Sequence, residues 1–262
     1  MNLRTVTATR YVMPLREGGS LPAIVEADDD GTYVLKFRGA GQGIRALIAE
    51  LLVGEIARRL GLRVPELVFM ELDPVLGRAE PDPEIQDLIV ASGGLNLALD
   101  YLPGSVTFDP LVPRPLEADA ELAAAIVWLD AYTTNVDRTP RNANMLVWHQ
   151  QLWLIDHGAA MFFHHSWSDY RKKSRSPFTQ IKDHVLLPFA ARLDEADARL
   201  APLLTREVLK EIVDLIPESW LGDVELFTNA AAHRAAYVDY LCERLEAPRA
   251  FVEEAQNARR QL

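Results

Sequence analysis

Cysteine is nearly absent: Cys242 is the one thiol in 262 residues. A single thiol excludes an intramolecular disulfide framework and fits a reducing compartment, so a cytoplasmic location is expected. Long apolar runs are missing as well. The longest strongly apolar stretch, residues 122–129, is far shorter than the roughly 20 residues that cross a bilayer, so no membrane span is expected. The amino-terminal residues alternate polar and apolar side chains and contain no secretory apolar core. Basic charge is scarce: 27 Lys and Arg stand against 38 Asp and Glu, a net charge of −11, which is the wrong sign for general nucleic-acid binding. No G-x-x-x-x-G-K-[ST] occurs, which excludes a Walker-type phosphate loop. Internal repeats and low-complexity tracts are absent too. What remains is the composition of a soluble globular protein, long enough for one large domain or two lobes sharing a cleft.

The chemistry concentrates between residues 130 and 158. Asp137-Arg138-Thr139-Pro140-Arg141-Asn142 sets an Asp five residues before an Asn, and Asp156-His157-Gly158 closes a short apolar run. Between them, residues 145–148 and 152–155 are β-prone and separated by polar residues, the pattern of a hairpin. A hairpin fixes the distance between its ends, so Asn142 should stand near Asp156. Their hard oxygen atoms suit Mg²⁺. Asp137, on the loop ahead, can accept a proton from a hydroxyl. A loop Asp, an Asn and a second Asp before Gly are the parts of kinase-type phosphoryl transfer. Asp-x-x-x-x-Asn by itself is ordinary loop composition; the hairpin and the Asp-His-Gly in register with it give the pattern its specificity.

N-x-D-R-T-P-R-N-x-N-x-L followed by L-W-L-I-D-H-G resembles the HipA-like kinases, distant relatives of the protein kinases and the phosphatidylinositol 3/4-kinases. The resemblance implies an α+β, two-lobed protein-kinase-like fold with a small β-rich lobe over residues 1–75 and a larger helical lobe over residues 76–262. It implies that Asp137 is the catalytic base, that Asn142 and Asp156 hold Mg²⁺, and that Asn144 shares the metal or braces the loop. Arg138 would stabilise phosphate or brace Asp137. The implied reaction transfers the γ-phosphoryl group of ATP to a hydroxyl, most simply Ser or Thr of a protein substrate. A small-molecule or lipid kinase, an AMP transferase, and a nucleotide-binding pseudokinase acting as an interaction module are the alternatives. The protein-kinase H-R-D order is absent and His157 replaces the Phe of D-F-G, so regulation through a flipping Phe is not implied.

The first 75 residues read as strand, Gly-rich loop, strand, turn, strand, helix, strand. Gly18, Gly19 and Ser20 sit where a loop could approach phosphate, although an ordinary hairpin loop has the same composition. Lys36 lies inside V-L-K-F; a strand lysine is usually solvent-facing, and the resemblance instead sends it to the α- and β-phosphates. Gly39-Ala40-Gly41-Gln42-Gly43 is an anion loop or a plain connector ahead of a helix over residues 44–60, which Gly61 ends. Glu55 precedes Arg59 at surface-pair spacing, leaving Glu50, on a face with Ala46, Val53, Gly54 and Ala57, as the expected partner of Lys36. The adenine pocket is expected near Met70 and Leu72, in the strand before Asp73-Pro74.

Further on, residues 96–103 carry mixed signals, and residues 119–134 form a strong helix with Leu122, Ile126, Leu129 and Thr133 at helical spacing. Trp128 and Asp130 most simply pack or brace the catalytic loop. His164-His165 has no further ligand at zinc-like spacing. Residues 170–176 form the most basic run, a solvated loop or a landing place for an acidic group, with Ser174 and Ser176 as candidate autophosphorylation sites. Helices are expected at residues 206–216, with Thr205 as N-cap, and at 229–247 and 249–261.

Overall fold

Five strands curl into a closed barrel at the amino-terminal end of a computed structural model that describes residues 2–15, 21–41, 43–112, 119–221 and 226–262. They are β1 (Thr5–Pro14), β2 (Ala23–Ala27), β3 (Thr32–Lys36), β4 (Leu67–Leu72) and β5 (Gly94–Asp100), in the order β1-β2-β3-β5-β4. Alternation sorts the side chains of β3. Leu35 points into the barrel with Val25, Met70 and Ala98, and Val34 and Lys36 face the other way. Gly18, Gly19 and Ser20 lie outside the described residues.

The barrel is not complete at residue 75, where the sequence reading ended the small lobe. β5 lies between β3 and β4 and pairs antiparallel with both. Its apolar alternation is interrupted by Asn96, which is fully buried and spends its amide on the backbone: Oδ1 accepts from Arg38 N at 2.8 Å, and Nδ2 donates to Ser92 O and Gly94 O, each at 2.8 Å. A buried amide with all these partners is compatible with a central strand, but no periodicity rule reveals it.

α1 (Ile44–Arg59) starts after Gly43 and stops ahead of Gly61, both at positive φ, as expected. It presses on β4 through Gly54, where a Cβ would meet Leu67 Cδ1 at 2.7 Å. The Ala46–Ala57 region therefore buries both Glu50 and Glu55, and Glu55 pairs with Arg58 at 3.5 Å rather than with Arg59.

α2 (Pro83–Ala91) packs beside the barrel, and Asp82 caps it by accepting from Glu84 N. α3 (Ala120–Thr133) is the central helix of the second lobe, with residues 123–133 all buried. Asp119 caps it by accepting from Leu122 N at 3.2 Å, and Thr134 ends it in a left-handed conformation. A small sheet joins β6 (Val106–Thr107), ahead of α3, to β7 (Met145–Trp148) and β8 (Gln151–Leu154) after it. The carboxyl-terminal part adds α4 (Tyr170–Ser174), α5 (Leu193–Leu200), α6 (Arg206–Val213), α7 (Ala230–Leu245) and α8 (Ala250–Arg260); α5 and α8 pack on α3, and α4 and α6 pack on α7. Thr205 caps α6 as expected, accepting from Val208 N at 3.3 Å. Trp128 stacks on Tyr132, and Phe251 of α8 meets both rings. One apolar core joins α1, α3, the β7–β8 hairpin and the carboxyl-terminal helices. The two-lobed α+β expectation is borne out. Among the described residues no helix is long and apolar enough to cross a membrane.

Candidate active site

β7 and β8 form the expected hairpin, closed by His149 and Gln150, both at positive φ, as a tight two-residue turn requires. Its register pairs Met145 with Leu154, and one step further Ile155 N donates to Asn144 O at 3.1 Å. The hairpin thereby sets Asn144 beside Asp156. Leu154 N also donates to Arg63 O at 2.8 Å, which fastens β8 to the segment after α1. Asn144 and Asp156 both adopt positive φ, 49° and 56°. Such backbone is uncommon for residues other than glycine, although Asn and Asp tolerate it best.

Lys36, Glu50, Asp137, Asn142, Asn144 and Asp156 all line one cavity of about 1740 Å³ between the lobes. Asp137 Oδ2 accepts from Asn142 Nδ2 at 2.8 Å and from Asn144 Nδ2 at 3.2 Å, so both amides orient the loop carboxylate. Lys36 Nζ lies 2.8 Å from Asp156 Oδ1. The direct partner of the lysine is therefore Asp156 and not Glu50, which corrects the expected pairing; no Lys36–Glu50 ion pair forms within 4 Å. Glu50 instead accepts from His157 N through Oε2 at 2.8 Å, and its other oxygen is buried without a hydrogen-bond partner.

The charges are coupled through this geometry. Burial by itself would lower the Lys36 ammonium, but the Glu50 and Asp156 carboxylates outweigh it and hold the lysine above its ordinary value. Burial pushes Glu50 up to about 7, against the pull of Lys36. Burial would also raise Asp156, yet the neighbouring ammonium keeps it below the ordinary carboxylate range.

Arg138 requires a correction. It does not line the cavity and cannot meet phosphate there: its side chain and that of Asp130 are both completely buried. Nε donates to Asp130 Oδ2 at 2.6 Å, Nη1 to Asn144 O, and Nη2 to His157 Nδ1 at 3.2 Å. Because Arg138 donates, the neutral His157 carries its proton on Nε2. Burial holds His157 down at about 3, so it stays neutral. Asp130 also accepts from Asn135 Nδ2 at 3.0 Å and lies 2.9 Å from His184 Nε2. Arg138 thus ties α3, the loop and the Asp-His-Gly turn together. Sequence reasoning reached Asp130 as a brace but missed His184, which is 54 residues away in the chain and belongs to no motif.

Met70 and Leu72 are also corrected. Both are buried in the barrel interior and neither lines the cavity. The cleft wall they were expected to form comes from Leu99 to Leu102, at the end of β5. In the basic run Arg171 pairs with Asp239 at 2.7 Å and with Glu243, Arg175 pairs with Glu246, Lys173 Nζ donates to Ser166 O at 2.7 Å, and Ser174 is buried with its hydroxyl on Glu243. His164 is buried and shares a 3.0 Å hydrogen bond with Tyr237 Oη.

The donors present fit a divalent cation. Asn142 and Asn144 spend their amide N–H groups on Asp137, leaving amide oxygens available in the cavity that Asp156 also lines. The cavity's Glu50, Asp137 and Asp156 exceed the charge of Lys36, and Glu50 Oε1 is unpartnered. Among the described residues no three His, Cys, Asp or Glu side chains cluster as a ready-made metal cage. A cation held by one carboxylate, amides and substrate phosphates needs no such cage.

The model of the HipA-like kinase family matches residues 9–252. The chain belongs to the HipA-like kinase family. This HipA-like kinase is accordingly a phosphotransferase. Its fold is similar to the crystal structure of the Helicobacter pylori proinflammatory kinase CtkA, with 11% identity, a TM-score of 0.55, and coverage of 99% of this chain and 98% of that one. It also aligns with the Golgi casein kinase with Mn/ADP bound, at 13% identity and a TM-score of 0.47, covering 95% of this chain and 74% of that one. No curated protein matches the HipA-like kinase in sequence.

Proposed function

We propose that this kinase transfers the γ-phosphoryl group of ATP to a Ser or Thr hydroxyl of a protein, in a Mg²⁺-dependent reaction in the cytoplasm. The observation that carries this reading is the convergence of Lys36, Asp137, Asn142 and Asp156 on one interlobe cavity. Asp137 receives the proton of the acceptor hydroxyl as its oxygen bonds to the γ-phosphorus. The bond from that phosphorus to the β-phosphate oxygen breaks, and ADP leaves. Asn142 and Asn144 hold the Asp137 carboxylate on the side from which the hydroxyl arrives. Lys36 offers its ammonium to the nucleotide phosphates, and Asp156, Asn142 and Asn144 are the groups that would hold Mg²⁺. The ion, when bound, neutralises the charge that develops between the β- and γ-phosphates.

Asp100 to Leu102 and Val34 wall the part of the cavity suited to the adenine, and the ends of the loop between β1 and β2 approach the phosphate region through Met13, Leu15 and Pro22. Gly18, Gly19 and Ser20, which lie in sequence between Leu15 and Pro22, are proposed as phosphate contacts. Glu50 positions the site through His157 N rather than touching ATP. Incubation of wild type and Asp137→Ala with γ-labelled or α-labelled ATP and a lysate tests the reading. Label from the γ-position alone, in the protein fraction, lost in the variant with an unchanged melting temperature, is expected. Label from the α-position, or equal labelling by the variant, contradicts it.

A further inference from the structure

The charged side chains of the cavity are almost all committed. Lys36 is held by Asp156, Glu50 by His157 N, and Asp137 by two amides. Asp109 accepts from Leu111 N at 2.8 Å. Asp100, at the far end of β5, faces the Arg4, Asp29 and Glu66 network. Arg141 differs. It lines the same cavity, is exposed, and forms no hydrogen bond or ion pair with the described residues. Lys36 and Arg141 are the two cationic side chains among the described lining residues, and the first is buried.

Arg141 is free at the head but fixed at the root. Thr139 N donates to Asn142 O at 3.0 Å and Asn142 N returns the bond to Thr139 O at 3.1 Å, closing a four-residue turn with Pro140 and Arg141 at its tip. Asn142 is in turn bonded to Asp137, so the Arg141 backbone is locked relative to the carboxylate that must meet the acceptor hydroxyl. A guanidinium on a rigid turn, with five unspent N–H donors, is preorganised for a carboxylate in two-pronged geometry. In an acidic protein it supplies the local countercharge without which an acidic acceptor would be repelled.

We propose that Arg141 is the acceptor-side specificity residue, and that it selects a peptide carrying a carboxylate close to the phosphorylated hydroxyl. This rests on the reading of the protein as a protein kinase. The test uses the full chain with synthetic Ser peptides of equal length whose flanking residues are Glu or Lys, recording ³²P transfer, ADP release, and KM for both peptide and ATP. Wild type should favour the Glu peptide at least about ten-fold in kcat/KM, roughly 1.4 kcal/mol. Arg141→Glu should reverse that order through peptide KM, and Arg141→Lys should retain part of it. Because Arg141 is exposed, the melting temperatures of the variants should match the parent. A Lys-peptide preference in wild type overturns the proposal. So does a variant that weakens both peptides equally, or one whose defect appears in KM for ATP, since the guanidinium would then serve the nucleotide. ADP release without labelling of either peptide overturns it as well, while leaving the nucleotide chemistry standing. Absence of ADP release altogether would overturn the underlying kinase reading too.

Discussion

Lys36 Nζ and Asp156 Oδ1 stand 2.8 Å apart, joining the third strand of the barrel to the residue that follows the hairpin. The contact links the two lobes across the cavity and makes the lysine part of the metal-side chemistry. Replacing Lys36 by Met removes the ammonium while keeping the chain length. The expected result is a fall in kcat/KM of about 10²-fold or more, on the scale of losing one preorganised electrostatic contact. Steady-state kinetics with varied ATP check it, and retention of more than half the activity contradicts it.

Glu50 answers to pH. Its folded value of about 7 lies above the ordinary 4.5 because burial disfavours its charge. Between those values the native protein binds more protons at this site than the unfolded chain does. Its contribution to stability is therefore present in acid and is lost as pH rises from about 4.5 through 7. Glu50→Gln removes this dependence. Urea midpoints at pH 5 and pH 8 should move in favour of the variant, relative to wild type, at the higher pH.

The histidines act in the opposite sense. His157 is held at about 3, and burial likewise depresses His184, His164 and His233. Below about 6.5 the unfolded chain takes up protons that these sites refuse, so stability falls as pH drops from 6.5 toward 4. His157→Gln should flatten that acid limb. Melting curves from pH 7.5 to 4.5 measure it, and an unchanged slope contradicts it.

Arg138 and Asp130 form a fully buried pair. Removing one partner strands the other's charge, which costs about 3–5 kcal/mol. Arg138→Met should therefore lower stability by that order in chemical denaturation. Its loss also frees Asn144 O and His157 Nδ1, so kcat should fall in protein that remains folded. A variant as stable as wild type contradicts the brace.

The sequence was most legible where local rules act alone. The hairpin, α1 between two glycines, and the cap at Thr205 follow from spacing and side-chain chemistry within a few residues. The co-location of Asp137, Asn142 and Asp156 was legible because a hairpin converts sequence order into proximity. What stayed hidden depended on distant partners. Residues 96–103 gave mixed signals because nothing in the local pattern shows that the backbone of Arg38, Ser92 and Gly94 satisfies the buried Asn96 amide, and β5 went unread with it. Arg138 had the composition of a phosphate ligand, and only its burial against Asp130 and His157 gives it a structural task. Arg171 and Arg175 of the basic run meet their countercharges on α7 and at its carboxyl-terminal cap, about 70 residues away, where no charge-run rule looks.

The central claim is that the catalytic turn and the hairpin together gather oxygen donors around one cation beside the nucleotide. Anomalous diffraction from crystals grown with Mn²⁺ and a non-hydrolysable ATP analogue tests it directly. The account expects a Mn²⁺ peak at bonding distance, about 2.0–2.3 Å, from an Asp156 carboxylate oxygen and the Asn142 amide oxygen. A cation bound by neither residue, with the nucleotide in place, would contradict it.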